Sequence, residues 1–255
     1  MKPSFVEKVY SDFVFYDKLP AKVEKTLLVG FPDTGLVGAI AVSYFAEQLK
    51  PEEKGYVDSS ELPPILPVRR SEPKELIRIY ERKNCVLIVS EIPIPPAFIR
   101  SFSESLLDWV EEKKIKDVIC LTGVTEPRRI EIETPKVFVL SADIKRSEEL
   151  ARVLDAEVFT EGFVTGIHAE ILRVGMRRGM DVSILLAQSH LNYPDPGAAA
   201  QLLNRLPKLV NEHVDVKQLL ESEEMVRMQL RDLMRRTSEA MVQKSREMEL
   251  PPVYR

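Results

Sequence analysis

The residues with the clearest chemical potential lie in Gly30-Phe-Pro-Asp-Thr-Gly35-Leu-Val-Gly38, between an apolar run that reads as a strand and one that reads as a helix. A strand–turn–helix junction aims unpaired backbone N–H groups at one point, which suits a phosphate or a carboxylate. The glycine spacing is not G-x-G-x-x-G and no Gly-Lys-Ser/Thr follows, so neither a dinucleotide loop nor a nucleoside-triphosphate loop is indicated. A structural account is simpler. Gly35 and Gly38 let the turn form and the helix approach the sheet, and Asp33, next to Thr34, is placed to cap the helix start.

Glu91 ends a second apolar run, a position where α/β enzymes put catalytic groups. The stiff Ile-Pro-Ile-Pro-Pro that follows suggests instead that Glu91 fixes the exit of the chain through hydrogen bonds. Asp33, Gly35, Gly38 and Glu91 therefore stand as ligand-binding or turn-forming candidates. Further polar candidates are Glu126, His168, His190 and Asp195, with His190 able to reach Asp195 only if the Tyr193-Pro194 turn folds back. None of the three histidines has a metal partner at i+4, and no serine stands in a nucleophile elbow. The expectation is no catalytic residue, no cofactor and no metal. An enzyme with a small-molecule pocket around Asp33, Glu91 and His190 remains the contrasting hypothesis.

Composition narrows the classes. Of 255 residues, 40 are acidic and 36 basic, a formal charge of -4 that gives no electrostatic reason to expect nucleic acid. No run approaches the roughly 20 apolar residues of a membrane span, and MKPSFVEKVYSDF lacks the apolar centre of a signal peptide. A cytoplasmic protein without membrane contact is expected. Cys85 and Cys120 sit inside apolar runs, as buried thiols do. Low Asn and Gln beside abundant Glu, Lys and Arg points to a thermophilic source.

The elements that must position these residues follow from periodicity. Strands are expected at 25–31, 76–82 (period two, half-exposed or edge), 84–91, 117–124, 136–142 and 181–189, and helices at 36–50, 96–114, 147–154 and 167–179. Such alternation argues for an α/β fold, a mixed sheet covered by helices. We place the core domain at 1–195. All ten glycines occur at or before Gly197, so 196–250 reads as a helical appendage. It comprises one helix over 197–213, kinked or broken by Pro207, and a long one over 215–250, about 50 Å at 1.5 Å per residue. The apolar stripe of the long helix is too interrupted for a clean dimeric coiled coil. Pro251-Pro252 then ends the helix and projects a tail, 251–255, in extended form.

Five segments occur in the order they take in the proteasome assembly chaperone superfamily, especially its archaeal members: Gly30 to Gly38, Glu91-Ile-Pro-Ile-Pro-Pro96, Leu121-Thr-Gly-Val124, Gly162-Phe-Val-Thr-Gly166 and Ser189-His-Leu-Asn-Tyr-Pro-Asp-Pro196. Over roughly residues 20–215 the chain resembles that family. The resemblance implies a nucleoside-phosphorylase-like fold, self-assembly, and contact with the proteasome core particle α-ring. Val253-Tyr254-Arg255 is similar to the hydrophobic-Tyr-any-residue tail of proteasome activators, which enters pockets between α subunits. A terminal carboxylate can be captured by a cation or backbone amides, and the Tyr ring supplies apolar area with a hydroxyl at its end. One such tail binds weakly, so a homo-oligomer built through the C-terminal helices would display several. Assembly chaperone and activator both fit, as does co-assembly with a second homologous chain. A scaffold with its tail packed away is the remaining alternative.

Overall fold

The computed structural model describes residues 6–10, 12–191 and 193–223. The helix expected over 215–250 lies outside the described residues beyond 223, as does the Val253-Tyr254-Arg255 tail. From the N-terminus, β1 (Val6–Tyr10), β2 (Phe13–Asp17) and β3 (Thr26–Gly30) lead into α1 (Val37–Leu49). Next come β4 (Glu52–Asp58), the small hairpin of β5 (Val68–Arg69) and β6 (Glu72–Pro73), then β7 (Ile77–Glu81) and β8 (Cys85–Ser90). After α2 (Ile99–Glu112) follow β9 (Asp117–Thr125), β10 (Val137–Ser141), α3 (Ile144–Leu154), β11 (Glu157–Val158), α4 (Gly166–Arg178) and β12 (Val182–Ser189). α5 (Pro196–Leu203) and α6 (Pro207–Val210) complete the series, and helical backbone resumes over 217–223.

Ten strands form one sheet in the order β1-β2-β4-β7-β8-β3-β9-β12-β10-β11. Its centre is parallel: β3 pairs with β8 and with β9, and β9 with β12. Strands buried on both faces must be apolar throughout, and β8 is buried at all six positions. Alternate residues feed opposite cores. Leu27 and Val29 face α2 and α4, where Phe102, Leu106, Trp109, Ile167 and Ile171 pack. Leu28 and Leu87 face the other layer, made by α1, α3 and α5. The expected α/β class and mixed, helix-covered sheet are therefore observed.

Two expectations change and one is met. β7 is half-buried, as its period-two pattern indicated, but it is no edge: β4 and β8 flank it. The helix read over 197–213 is broken, as Pro207 indicated, with Pro207 opening α6, where its missing N–H costs no hydrogen bond. The packed layer also runs past residue 195. Ala198, Ala199, Ala200, Leu202, Leu206, Val214 and Leu219 all belong to the second core, because a helix that is apolar all round has to be buried.

At the antiparallel end a buried charge ties strand to helix. Asp17 is fully buried and accepts from Trp109 Nε1 at 2.9 Å, Lys113 Nζ at 2.7 Å and the Leu19 N–H at 2.8 Å. Removing one member of such a pair leaves the other charge stranded. Asp17→Ala is expected to lower unfolding stability by about 3–5 kcal/mol in denaturant titrations; an unchanged midpoint would show that Lys113 is compensated elsewhere.

Candidate functional site

The chain reverses its direction of travel across the sheet between β3 and β9. From β3 it goes outward and returns through β7 to β8, and α2 then carries it to β9 on the other side of β3. In open α/β sheets the crevice at such a switch point, beyond the C-terminal strand ends, is the habitual ligand site. A cavity of about 520 Å³ opens there, lined by residues that include Thr34, Gly123, Thr125, Phe159 and Gln188. Glu126 and Glu161 also line it, no Lys, Arg or His does so among the described residues, and Phe163 at its rim is 92% exposed. Such a lining disfavours phosphate and favours apolar or cationic groups.

The Gly30–Gly38 turn forms the adjoining wall. Gly35 adopts φ +62, a conformation that side chains disfavour, and its carbonyl accepts from the Asp195 N–H at 2.9 Å. A Cβ on Gly38 would overlap the Leu121 carbonyl oxygen, so only glycine lets α1 lie this close to β9. Asp33 forms no helical side-chain cap, and its carboxylate lies against Gly166 at the start of α4. Burial raises its pKa, with the Thr34 backbone pulling the other way.

The Glu91 carboxylate pairs with Arg69 Nη2 at 2.7 Å and with Arg78, tying the end of β8 to β7 and to the β5–β6 hairpin. It lies on a separate groove of about 720 Å³ whose walls carry Lys50, Arg70 and Lys74. The Tyr193-Pro194 turn does fold back, but it is the backbone N–H of His190 that donates to Asp195, at 3.2 Å. Glu126 accepts from Gln188 Nε2 and from the Arg128 N–H, both at 3.1 Å. The groove at Glu91 is lined by neither Asp33 nor His190. Cys85 and Cys120 are buried, and burial pushes the Cys85 thiol up to about 12. Among the described residues no acidic, Cys or His cluster could hold a metal, and no helix is long and apolar enough to cross a membrane.

Sequence reasoning missed Arg129. It is 1% exposed, whereas its neighbour Arg128 is exposed. Its Nε and Nη2 face the Asp195 carboxylate at 2.8 Å each, Nη1 donates to the Ile132 carbonyl at 2.6 Å, and Nη2 also meets Glu223 at 2.9 Å. Asp195 caps α5 through the Ala198 N–H at 2.9 Å. The loops after β9 and β12, the Gly35 turn and the 217–223 helix are thereby joined. Nothing in Glu-Pro-Arg-Arg says which arginine turns inward.

The model of the PAC2 family matches residues 27–234, ending short of the Val253-Tyr254-Arg255 tail. An uncharacterised protein of Methanocaldococcus jannaschii is 27% identical over 220 residues, spanning 86% of this chain and 90% of that protein. The structure of Pyrococcus furiosus PbaA, an archaeal homolog of proteasome-assembly chaperone, superposes with a TM-score of 0.76 at 27% identity, covering 92% of this chain and 98% of that one. Pyrococcus furiosus PbaB, an archaeal proteasome activator, gives 0.75 at 20% identity, covering 88% and 99%, a likeness of fold.

His168, near the start of α4, is fully buried beside Phe31. Burial pushes its pKa from the ordinary 6.5 down to about 4, the Phe31 backbone only partly opposing. Between these values the unfolded chain binds a proton that the folded chain refuses. Stability present above pH 6.5 is therefore lost as pH falls toward 4, by about 3 kcal/mol. His168→Leu is expected to flatten that part of the pH–stability curve relative to the parent; superimposable slopes for the two would mean that His168 is protonated in the fold.

Proposed function

The chain belongs to the PAC2 family, as its five motifs indicated, and on that footing we propose that it is a proteasome-binding protein. It acts as an assembly-chaperone homologue or core-particle activator, docking its C-terminal tail into α-ring pockets. The observation that carries this reading is the likeness, over nearly the whole of both chains, to an archaeal homolog of proteasome-assembly chaperone. The tail supplies the chemistry. Val253 and Tyr254 fill an apolar pocket, and the Arg255 carboxylate meets a cation. In this reading the protein is a cytoplasmic homo-oligomer, since several weak tails must engage together. On the same reading it carries out no reaction of its own, with Asp33 lying against Gly166 and Glu91 paired with Arg69 and Arg78.

Peptide hydrolysis by purified proteasome core, with and without the protein, tests the proposal alongside a pull-down. Tyr254→Ala and a chain ending at Pro252 are expected to weaken binding at least roughly tenfold, as loss of an aromatic anchor does. Stimulation that depends on the tail identifies an activator, and binding without stimulation an assembly factor. Undiminished binding by both variants would defeat the docking mechanism; no binding by the parent would leave a scaffold.

A further inference from the structure

Arg129 faces two carboxylates, and only one of them is built into the core. Without Glu223, its guanidinium keeps the paired contacts with Asp195 and the Ile132 carbonyl. Asp195 in turn keeps the N–H groups of His190 and Ala198. Departure of Glu223 therefore strands no buried charge, unlike the loss of a partner from an isolated pair. Glu223 itself is already 16% exposed and is rehydrated as it leaves.

The core nevertheless provides a seat for it. Gly197, in the first turn of α5, is bare where a Cβ would overlap the Glu223 carboxylate, and the helix N-terminus favours an anion there. The place in the chain matters as well. Tyr44 Oη donates to the Asp215 carbonyl at 2.7 Å, and Val216 and Leu219 are buried in the second core. Leu220 is 42% exposed. Glu223 on Arg129 is the last tie among the described residues before the segment 224–255.

We infer that Glu223 is a releasable latch, a positioning residue that ties the 217–223 helix, ahead of the segment 224–255, to the core. Seated on Arg129 and Gly197, it holds the 217–223 helix in register with the sheet; released, it frees that helix without unfolding the domain. This rests on the proposed docking role, since the same segment carries the tail.

The test uses the full chain with Glu223→Ala, Gly197→Ala and the double variant. Gly197→Ala fills the seat and leaves the Arg129–Asp195 pair intact. Each single variant is expected to speed amide exchange across 217–223, and tryptic cleavage after Lys217, by roughly tenfold, the usual weight of a hydrogen bond to a charged group. The double variant should match either single one, because both remove the same contact. The global unfolding midpoint should fall by about 3–6 °C, the shift that a tenfold loss implies for a chain of this size, while proteasome binding falls in both single variants, a readout that a merely structural contact would not move. Unchanged exchange in the single variants, or additive effects in the double, would overturn the latch. If a chain ending at Pro252 binds the proteasome as well as the parent, the docking reading fails, while the exchange data continue to judge the latch independently.

Discussion

One carboxylate organises the functional end of the molecule. Asp195 accepts from Arg129, His190 and Ala198, while its own N–H holds the Gly35 carbonyl. Three segments far apart in sequence meet there: the turn after β3, the loop after β9, and the stretch from the end of β12 into the start of α5. A fully buried carboxylate is tolerated only if its oxygens are satisfied and its charge is answered. Asp195 has both, so the loops at this end are held in one arrangement.

The opposite end of the fold solves the same problem with other residues. Asp17 and Lys113 are both buried, and Trp109 adds a donor. Each network crosses between layers that apolar packing alone would let slide. The hydrophobic effect is non-directional, whereas these pairs demand specific distances. Apolar burial supplies the bulk of the stability and the ion pairs set the register.

Close packing imposes a further constraint between these ends. α1 lies on β9 at a distance that only Gly38 permits, and the Gly35 turn is pressed against the loop after β12. The turn that sequence motifs advertise as a possible anion site is therefore spent on joining helix to sheet. What remains open at the strand ends is a cavity edged by carboxylates and by the exposed Phe163. Its character suits contact with apolar or basic groups better than phosphate chemistry.

Much of this architecture was legible in the residues. The continuous apolar runs of β3, β8, β9 and β12 and the period of α2 and α4 declare their types, because burial on one face or two leaves a pattern in the chain. The helix break at Pro207 and the buried thiols were legible for equally local reasons, an absent N–H and apolar neighbours. The short, partly polar strands β1, β2 and β4 were not, since half-exposed pairs carry little pattern and owe their form to the neighbour across the sheet. Nor was the extent of the core past residue 195, although the apolar run Gly197-Ala-Ala-Ala-Gln-Leu-Leu203 carried the signal. Local sequence determines periodicity, turn chemistry and where a helix must stop. Which of Arg128 and Arg129 turns inward, where Asp33 points, and whether Glu223 finds a partner were decided only by tertiary structure, because a buried charge takes its position from groups that the chain brings together from a distance.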